Sequence, residues 1–554
     1  MKNKKTLIII GSIFLFFLLI LTFTPTLVNW YLNRNAEKIV SDMITRTDHM
    51  AGHEVHFGNI RFDYNFRGTF LRLEDVDIQP GEALEDRDKI KFYLNMKSAS
   101  LTGFQWVDFL FFNSIKLDSA NLEDAVLETH SPPLDSLDLD NGDLEENGQN
   151  YNRIGVNHIR VNKVSFENRD TYNDSTRLFI QDLFVYGDDF LLTDEDLADP
   201  NAVFEIRKIE GYMDQAVVHF NTYRNAILAK DMSFNTDDKK LSIEKVILDN
   251  KMEKYEYIRQ FDYETDWIEL NQGKVEIEGM DFQAYIRERN LIGETLSLSG
   301  LELEVFRDKR KPEDTERRPD MIHEIIKGLS KKVRIKEIQI EDAYIAYEER
   351  PDNDAPKAGR IYFDQVSGTI GPFSNFSEDL EEDDKMEVKA KGRLIGKGLI
   401  NLHLTYFIND ESGKFLMRGD IGGMDITPLN QMIEPATQVA LKSGNLLSVD
   451  FNIEANDIEG RGDLIVKYAD LEIEILDKDF GRNQGLFRRI GSFLANKIVV
   501  RNQNPNPRGS LSEGTVYFKR EQHKFIFSYW WDLVLSGLRT TITGESEEDL
   551  RESS

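Results

Sequence analysis

Three imidazoles gather at one place in the chain. In "HMAGHEVHFG", His49, His53 and His56 surround Glu54, a donor set of the kind that holds zinc. The spacing matches neither H-E-x-x-H nor the common zinc patterns. The segment also joins the end of a helical pattern to the start of a strand pattern, so the rings sit on different elements. We expect a polar junction there rather than a metal centre. Two Arg-Gly-Asp tripeptides, at 418–420 and 461–463, raise the chemistry of cell adhesion. Adhesive use needs an exposed loop tip. In "GRGDLIVKYADLEIEIL" the tripeptide instead opens a strand pattern, and "KFLMRGDIGGMDI" reads as a strand running into a glycine turn, so both are expected to be incidental. No G-x-S-x-G occurs, and "GRLIGKG" (392–398) lacks the spacing of a phosphate-binding loop. Carboxylates alternate with apolar residues throughout, as a solvated sheet face requires, and no pair stands out as a catalytic dyad. Neither an enzyme nor a cofactor is expected.

Composition narrows the partners. The 554 residues carry a formal net charge of −30, which leaves no basic face for nucleic acid. Cysteine is absent, so there is no disulfide framework and no thiolate chemistry. After "MKNKK", which supplies Lys2, Lys4 and Lys5, no charged residue appears from Thr6 to Leu32. About 20 apolar residues suffice to cross a hydrocarbon core as a helix. The run is longer than the apolar core of a cleaved signal peptide, and no small-x-small site follows Phe23. The expectation is therefore a membrane anchor over 6–28, with Leu7, Ile10, Phe14, Leu18 and Leu21 in the span. The lysine-bearing tail, 1–5, stays cytoplasmic and the body is exported. Trp30 and Tyr31 fall where an interfacial aromatic belt would lie.

Beyond Val55 the apolar period becomes two, the mark of half-buried strands. A finer pattern runs inside them: apolar-x-apolar-x-x-apolar-x-apolar, with polar residues or glycine at each x. It occurs at Leu71-Leu73-Val76-Ile78, Leu94-Met96-Ala99-Leu101, Ile115-Leu117-Ala120-Leu122 and Ile159-Val161-Val164-Phe166. Three more copies are Val275-Ile277-Met280-Phe282, Leu296-Leu298-Leu301-Leu303 and Val333-Ile335-Ile338-Ile340. Random placement would give roughly two strict copies, not seven. The two-residue step flips the parity of a regular strand, so a bulge or tight bend there keeps all four apolar residues on one face. These residues are the candidate lining of one continuous apolar face. "IKLDSANLEDAVLE" and "VRIKEIQIEDAYIAYE" run in parallel, which suggests a quasi-repeat and an elongated sheet.

The expected organisation is a β-groove region over 29–306, a charged linker at 307–320, a second β-groove region over 321–476, and a C-terminal helix with strands over 477–554. Acidic loops are expected at 134–150 and 377–384. Amphipathic helices are expected at 321–331, at 428–442, and where Leu486, Phe487, Ile490, Phe493 and Leu494 form a stripe.

The anchor, the opening "VHFGNIRFDY…FLRLEDVDI" and the run from "RGDIGGMDITPLNQMIEPATQVALKSGNLLSVDFNIEANDIEG" to "RGDLIVKYADLEIEIL" together resemble the AsmA-like family of bacterial envelope proteins. TamB-type proteins and the bridge-like lipid transfer proteins are its relatives. "NKIVVRNQNPNPRG" and "GTVYFKREQHKFIFSYWWDLVLSGLR" are similar to the ends of Bacteroidota-type members. The resemblance covers nearly the whole chain, through loose motifs. It implies a mainly β fold with an N-terminal transmembrane helix: a sheet curled lengthwise into a groove, apolar inside, with a few amphipathic helices. It also implies a single-pass inner-membrane protein with a periplasmic body, whose partners are that membrane, phospholipids and other envelope proteins. Its role would be lipid transport for outer-membrane biogenesis. The ingredients agree with the residues, since a lipid tail would cover a long apolar face well. About 25 to 30 strands at 4.8 Å spacing would make a sheet roughly 120 to 145 Å long. The alternative is an assembly factor that binds outer-membrane protein clients by adding strands to a sheet edge.

Overall fold

The structure, a computed structural model, describes residues 22–45, 52–132, 153–193, 205–220, 224–476 and 501–553, apart from 67, 82, 83, 85–89, 353, 354, 356, 383 and 438. Strand takes 59% of it and helix 19%, so the fold is mainly β. Among the described residues, no helix is long and apolar enough to cross a membrane. The anchor residues Leu7 to Leu21, the acidic loop at 134–150, the stripe at 486–494 and His49 lie outside the described residues. The chain forms two compact units, Met1–Leu241 and Ser242–Ser554.

In the first unit a helical segment at 22–34 leads into α1 (Ala36–Thr45). There follow β1 (His53–Asn65), β2 (Gly68–Pro80), β3 (Lys91–Phe104), α2 (Trp106–Phe112), β4 (Ser114–Ser131), β5 (Arg153–Asp170), β6 (Thr176–Thr193), β7 (Glu205–Phe220) and β8 (Asn225–Asn235). Each strand pairs with the next; all pairs are antiparallel except β4 with β5. Leu32, Ala36 and Val40, spaced by four, put one helix face against Phe62 of β1.

The two-residue steps of β2, β3 and β5 line up with one another and with Asp124 of β4; at each, one residue on either strand drops out of the pairing and the register is kept, so they are bends rather than bulges. Pairing skips Gly58 opposite Asp75, Asp75 opposite Lys97, Lys97 opposite Asp124 and Asp124 opposite Lys163. From β6 to β8 the skipped positions are Asp182, Asp214 and Asp231. Asp75, Asp124, Lys163, Asp182 and Asp231 take φ between 48° and 55°, a region that aspartate enters more readily than most residues. These aligned left-handed residues and skipped pairs bend the strands at the same level, so the sheet folds along a line that crosses it.

The second unit contains β9 (Lys240–Asn250), α3 (Lys254–Arg259), β10 (Asp266–Gln272), β11 (Val275–Glu278), α4 (Phe282–Glu288), β12 (Leu291–Ser299), β13 (Glu302–Asp308), α5 (Ile322–Lys327) and β14 (Val333–Arg350). It continues with β15 (Gly359–Gly371), β16 (Phe373–Ser374), α6 (Ser377–Glu382), β17 (Lys385–Leu394), β18 (Gly398–Phe407), β19 (Phe415–Asp425), α7 (Asn430–Thr437), β20 (Val439–Ala455), β21 (Glu459–Ile475), β22 (Gly514–Lys519), α8 (Ile526–Thr543) and α9 (Glu547–Ser553). The likeness between the two sequence runs noted above has a structural counterpart. β4 and β14 are both 18 residues long, both have a parallel neighbour, and both carry a left-handed aspartate, Asp124 and Asp342. The charged segment 307–320 starts with the last two residues of β13 and continues as irregular chain.

Several local expectations are corrected. Phe282 is not the fourth member of a bent strand, because the Asp281 carboxylate accepts the Ala284 N–H at 3.0 Å and starts α4. The helix expected over 428–442 ends at Thr437, because Val439 to Leu441 pair with β21. The one at 321–331 is shorter, Ile322–Lys327. The tripeptide at 461–463 lies at the start of β21, as expected, whereas the one at 418–420 sits inside β19 rather than before a glycine turn; both strands are paired on each side. Gly419 stands between Leu402 and Phe451, and a Cβ there would meet the Phe451 ring at 2.4 Å. Gly462 stands between Ile453 and Val516, and its Cβ would meet the Asn452 carbonyl at 2.2 Å. The tripeptides record inward glycines flanked by outward charges.

Candidate functional site

The bends set four apolar rows, each crossing the strands of the first unit. One runs Ile60–Leu73–Ala99–Leu122–Val161–Val185–Gly211–Phe234. The next runs Phe57–Val76–Met96–Ala125–Val164–Leu183–Met213–Met232, and the third Val55–Ile78–Leu94–Leu127–Phe166–Ile180–Ala216–Ala229. The fourth, Phe62–Leu71–Leu101–Ala120–Ile159–Gly187–Ile209, crosses seven strands. The bend lies between the first two rows from β1 to β5 and between the second and third from β6 to β8. It moves at the register shift where β5 meets β6. Every rung of these rows is apolar or glycine.

Burial divides the expected lining residues. Val76, Ile78, Met96 and Leu117 are buried, as are Ile277 and Ile335 in the second unit. Leu71, Leu73, Leu94, Ile115, Ile159 and Val161 are only half-buried, and so are Val275, Leu296, Leu298 and Val333. The six buried residues are packing positions. In the first unit, Val76, Ile78, Met96 and Ala125 form a small cluster with Val164 at its margin. Among the described residues, the only helix-bearing cluster of this unit reaches β1 and β2. Four rows span about 23 Å along the strands, and eight strands about 34 Å across, so the face covers roughly 800 Å².

The opposite face is mostly polar from β1 to β5, also carries Phe179, Phe184, Tyr212, Val217 and Leu228 on β6 to β8, and is knitted across the strands. Asn59 donates to Glu74 at 2.9 Å, Asn121 to Ser100 at 3.2 Å and Asn235 to Glu210 at 3.1 Å. His158 Nδ1 lies 2.8 Å from Asp188, and this hydrogen bond holds the Asp188 carboxyl below the usual carboxylate range. Tyr212 donates to Asp231 at 2.8 Å, and that bond raises its phenol well above the ordinary value. Lys163 pairs with Asp124 across the bend at 3.6 Å.

The second unit has the same kind of rows, for example Leu296–Ile338–Ile370–Val388–Leu404–Met417–Ile453–Gly462–Val516. There, the far end is covered by the chain itself. Ile526, Tyr529 and Leu533 of α8 are buried with Leu404, Phe415, Met417, Ile453 and Leu464. A Cβ at Gly537 would stand 2.7 Å from Leu464 and 2.8 Å from Val516, so α8 approaches the sheet at its closest there. Met432 of α7, fully buried, caps Ile361 and Leu394.

The histidine cluster resolves into separate contacts. His53 is buried, and its Nε2 accepts the Phe92 N–H at 3.0 Å. Exposed His56 is 3.9 Å from Glu54. Among the described residues no group of three metal-binding side chains converges. Sequence reasoning missed the rungs on β6 to β8. The signal was a looser motif, apolar-x-Asp-apolar, at Ile180–Leu183 and Ala229–Met232 as at Leu73–Val76 and Leu122–Ala125.

Comparison with models of known protein families and with curated proteins finds no match to this chain.

Proposed function

We propose that the chain is a membrane-anchored lipid carrier of the AsmA-like kind. In this reading its anchor sits in the inner membrane and its body in the periplasm. The apolar face binds and conducts phospholipid or similar molecules for outer-membrane maintenance. One observation carries the reading: apolar rows cross the first unit's strands without a polar rung, on a face that helices cover only at β1 and β2 among the described residues. Acyl chains lying across the strands would cover that face, gaining ~0.8 kcal/mol for each methylene removed from water. Headgroups would remain at the rim in water. The role proposed is binding and conduction, since every rung of the rows is apolar or glycine.

The test is lipid extraction and native mass spectrometry of the full chain purified in a mild detergent. Phospholipids retained in excess of those on an unrelated single-span protein support the reading. A chain that carries no more lipid than that control overturns it, and binding of unfolded outer-membrane strands would then be measured instead.

A further inference from the structure

A second apolar surface lies at one end of the first unit's strands. α2 joins β3 to β4 and reads "WVDFLFF", apolar but for Asp108. A helix apolar nearly all round belongs in a core or a membrane. Yet Val107, Phe111 and Phe112 are exposed, Phe111 at 77%. Its single charge is neutralised, since Lys116 Nζ lies 2.6 Å from Asp108. Phe109 anchors the helix by packing on Phe104 at 5.4 Å between ring centres.

The neighbouring elements place this helix at the same sheet end as the start of the helical segment 22–34. Asn29 exchanges two hydrogen bonds with the Tyr64 main chain, at 2.6 and 3.0 Å, and Asn33 exchanges two with Phe62, at 2.8 and 2.9 Å. The segment 22–34 therefore runs antiparallel to β1, and its earlier residues point past the β1–β2 turn. At 1.5 Å per residue, Phe23 lies about 9 Å beyond Asn29. That turn carries exposed Phe66. Thr69 at the start of β2 pairs with Phe104 at the end of β3, so α2 emerges at the same end, two strands from β1. Leu27 and Trp30 are exposed on the helical segment as well. The uncharged run from Thr6 to Leu32 ends among them.

We propose that α2 and the β1–β2 turn form a second membrane contact, with Phe66, Val107, Phe111 and Phe112 inserted into the bilayer interface next to the anchor. The occupant of this surface is the lipid interface, because the exposed apolar side chains lie at the same sheet end as the segment that continues the uncharged run. Interfacial helices bury apolar side chains about 5–10 Å deep, which suits a short helix projecting from a sheet end. A two-point contact would fix the orientation of the first unit on the membrane, which a single helix cannot do. This proposal rests on the anchored reading above.

The absence of cysteine allows a direct test. Phe111→Cys, Leu27→Cys and Asn162→Cys are each labelled with an environment-sensitive NBD dye, in the full chain reconstituted into phosphatidylcholine–phosphatidylglycerol vesicles. Lipids brominated near the headgroup end of the acyl chain are then the quencher. The expected result is a blue-shifted, quenched dye at positions 111 and 27 and an unquenched one at 162, on the polar face. Quenching at 27 but not at 111 overturns the second contact and leaves the anchor standing. No quenching at either position overturns both.

Discussion

Val161→Asp is the sharpest probe of the apolar rows. Val161 lies between Leu122 and Val185 across the strands, with Ile159 and Val164 as its neighbours along β5. It is half-buried, so a polar side chain can reach water in the empty protein and the fold should lose no more than about 1 kcal/mol. An acyl chain crossing this row meets a carboxylate that costs several kcal/mol to bury, so the group keeps its water and lifts roughly three methylenes off the face. At ~0.8 kcal/mol each, the loss is about 2.4 kcal/mol, or about 50-fold in affinity. The control is Asn162→Asp, the next residue, which adds the same charge on the polar face. Displacement of a fluorescent acyl chain from the detergent-purified full chain, with circular dichroism to check folding, measures both. If Val161→Asp, Leu122→Asp and Val185→Asp all fold and bind like the parent, the rows are not the binding face and the reasoning fails.

Three further outcomes are expected. Asp124→Val forces a β-branched residue into φ 53° and should destabilise by about 1–3 kcal/mol, whereas Asp124→Gly should be neutral or better; equal urea midpoints for the two would show that the bend does not depend on that conformation. Leu533→Ala empties a fully buried site between α8 and the sheet, and should cost about 2–5 kcal/mol in the same measurement. Burial pushes the Asp308 carboxyl up, but hydrogen bonds from Arg310, at 2.6 and 2.8 Å, and its charge outweigh this and hold the carboxyl below its usual value. Its contribution is therefore complete above the unfolded value near about 4 and is lost as pH falls through the lower folded value. The stability gap between the parent and Asp308→Asn should shrink on acidification below about pH 4, and a gap that stays constant would contradict this.

What could be read from the sequence, and what could not, follows from the geometry of the bends. The strict copies at Leu71–Ile78 and Ile159–Phe166 carry a left-handed residue at the second step position, Asp75 and Lys163. The copies at Leu94–Leu101 and Ile115–Leu122 bend opposite or beside such residues without having one. The pattern therefore marks the place of a bend but not which partner strand makes it. β6 to β8 escaped the strict pattern because Phe179, Phe184, Tyr212, Val217 and Leu228 occupy positions where the rule demands polar residues. Phe179, Val217 and Leu228 pair as one rung of the other face, so these strands are apolar on parts of both sides and alternation blurs. α8 could not be read as a cover, because "IFSYWWDLVLSGLRTT" says only that a helix is apolar. What it covers depends on Gly514, Gly460 and Gly537, which let it approach and which come from three separate elements.

The contrast between the units narrows what kind of ligand the first one suits. A pocket built for a single pose needs a few polar groups converging on fixed points of the ligand. The rows of the first unit offer none, and each rung comes from a different strand and repeats the chemistry of the last. Translation of a chain by one strand, about 4.8 Å, therefore changes its surroundings very little. Such a surface holds an aliphatic chain without choosing where along the sheet it stops. In the second unit, α8 and α7 bring their own apolar side chains to the corresponding rows, and there the contacts are specific: Leu533 against Gly460, Met432 against Gly359. The second unit thus covers part of its apolar face with an internal helix that is fixed in register by close glycine contacts. In the first unit no helix among the described residues covers the rows from β4 to β8, and that difference is why the proposed lipid binding should be sought there first.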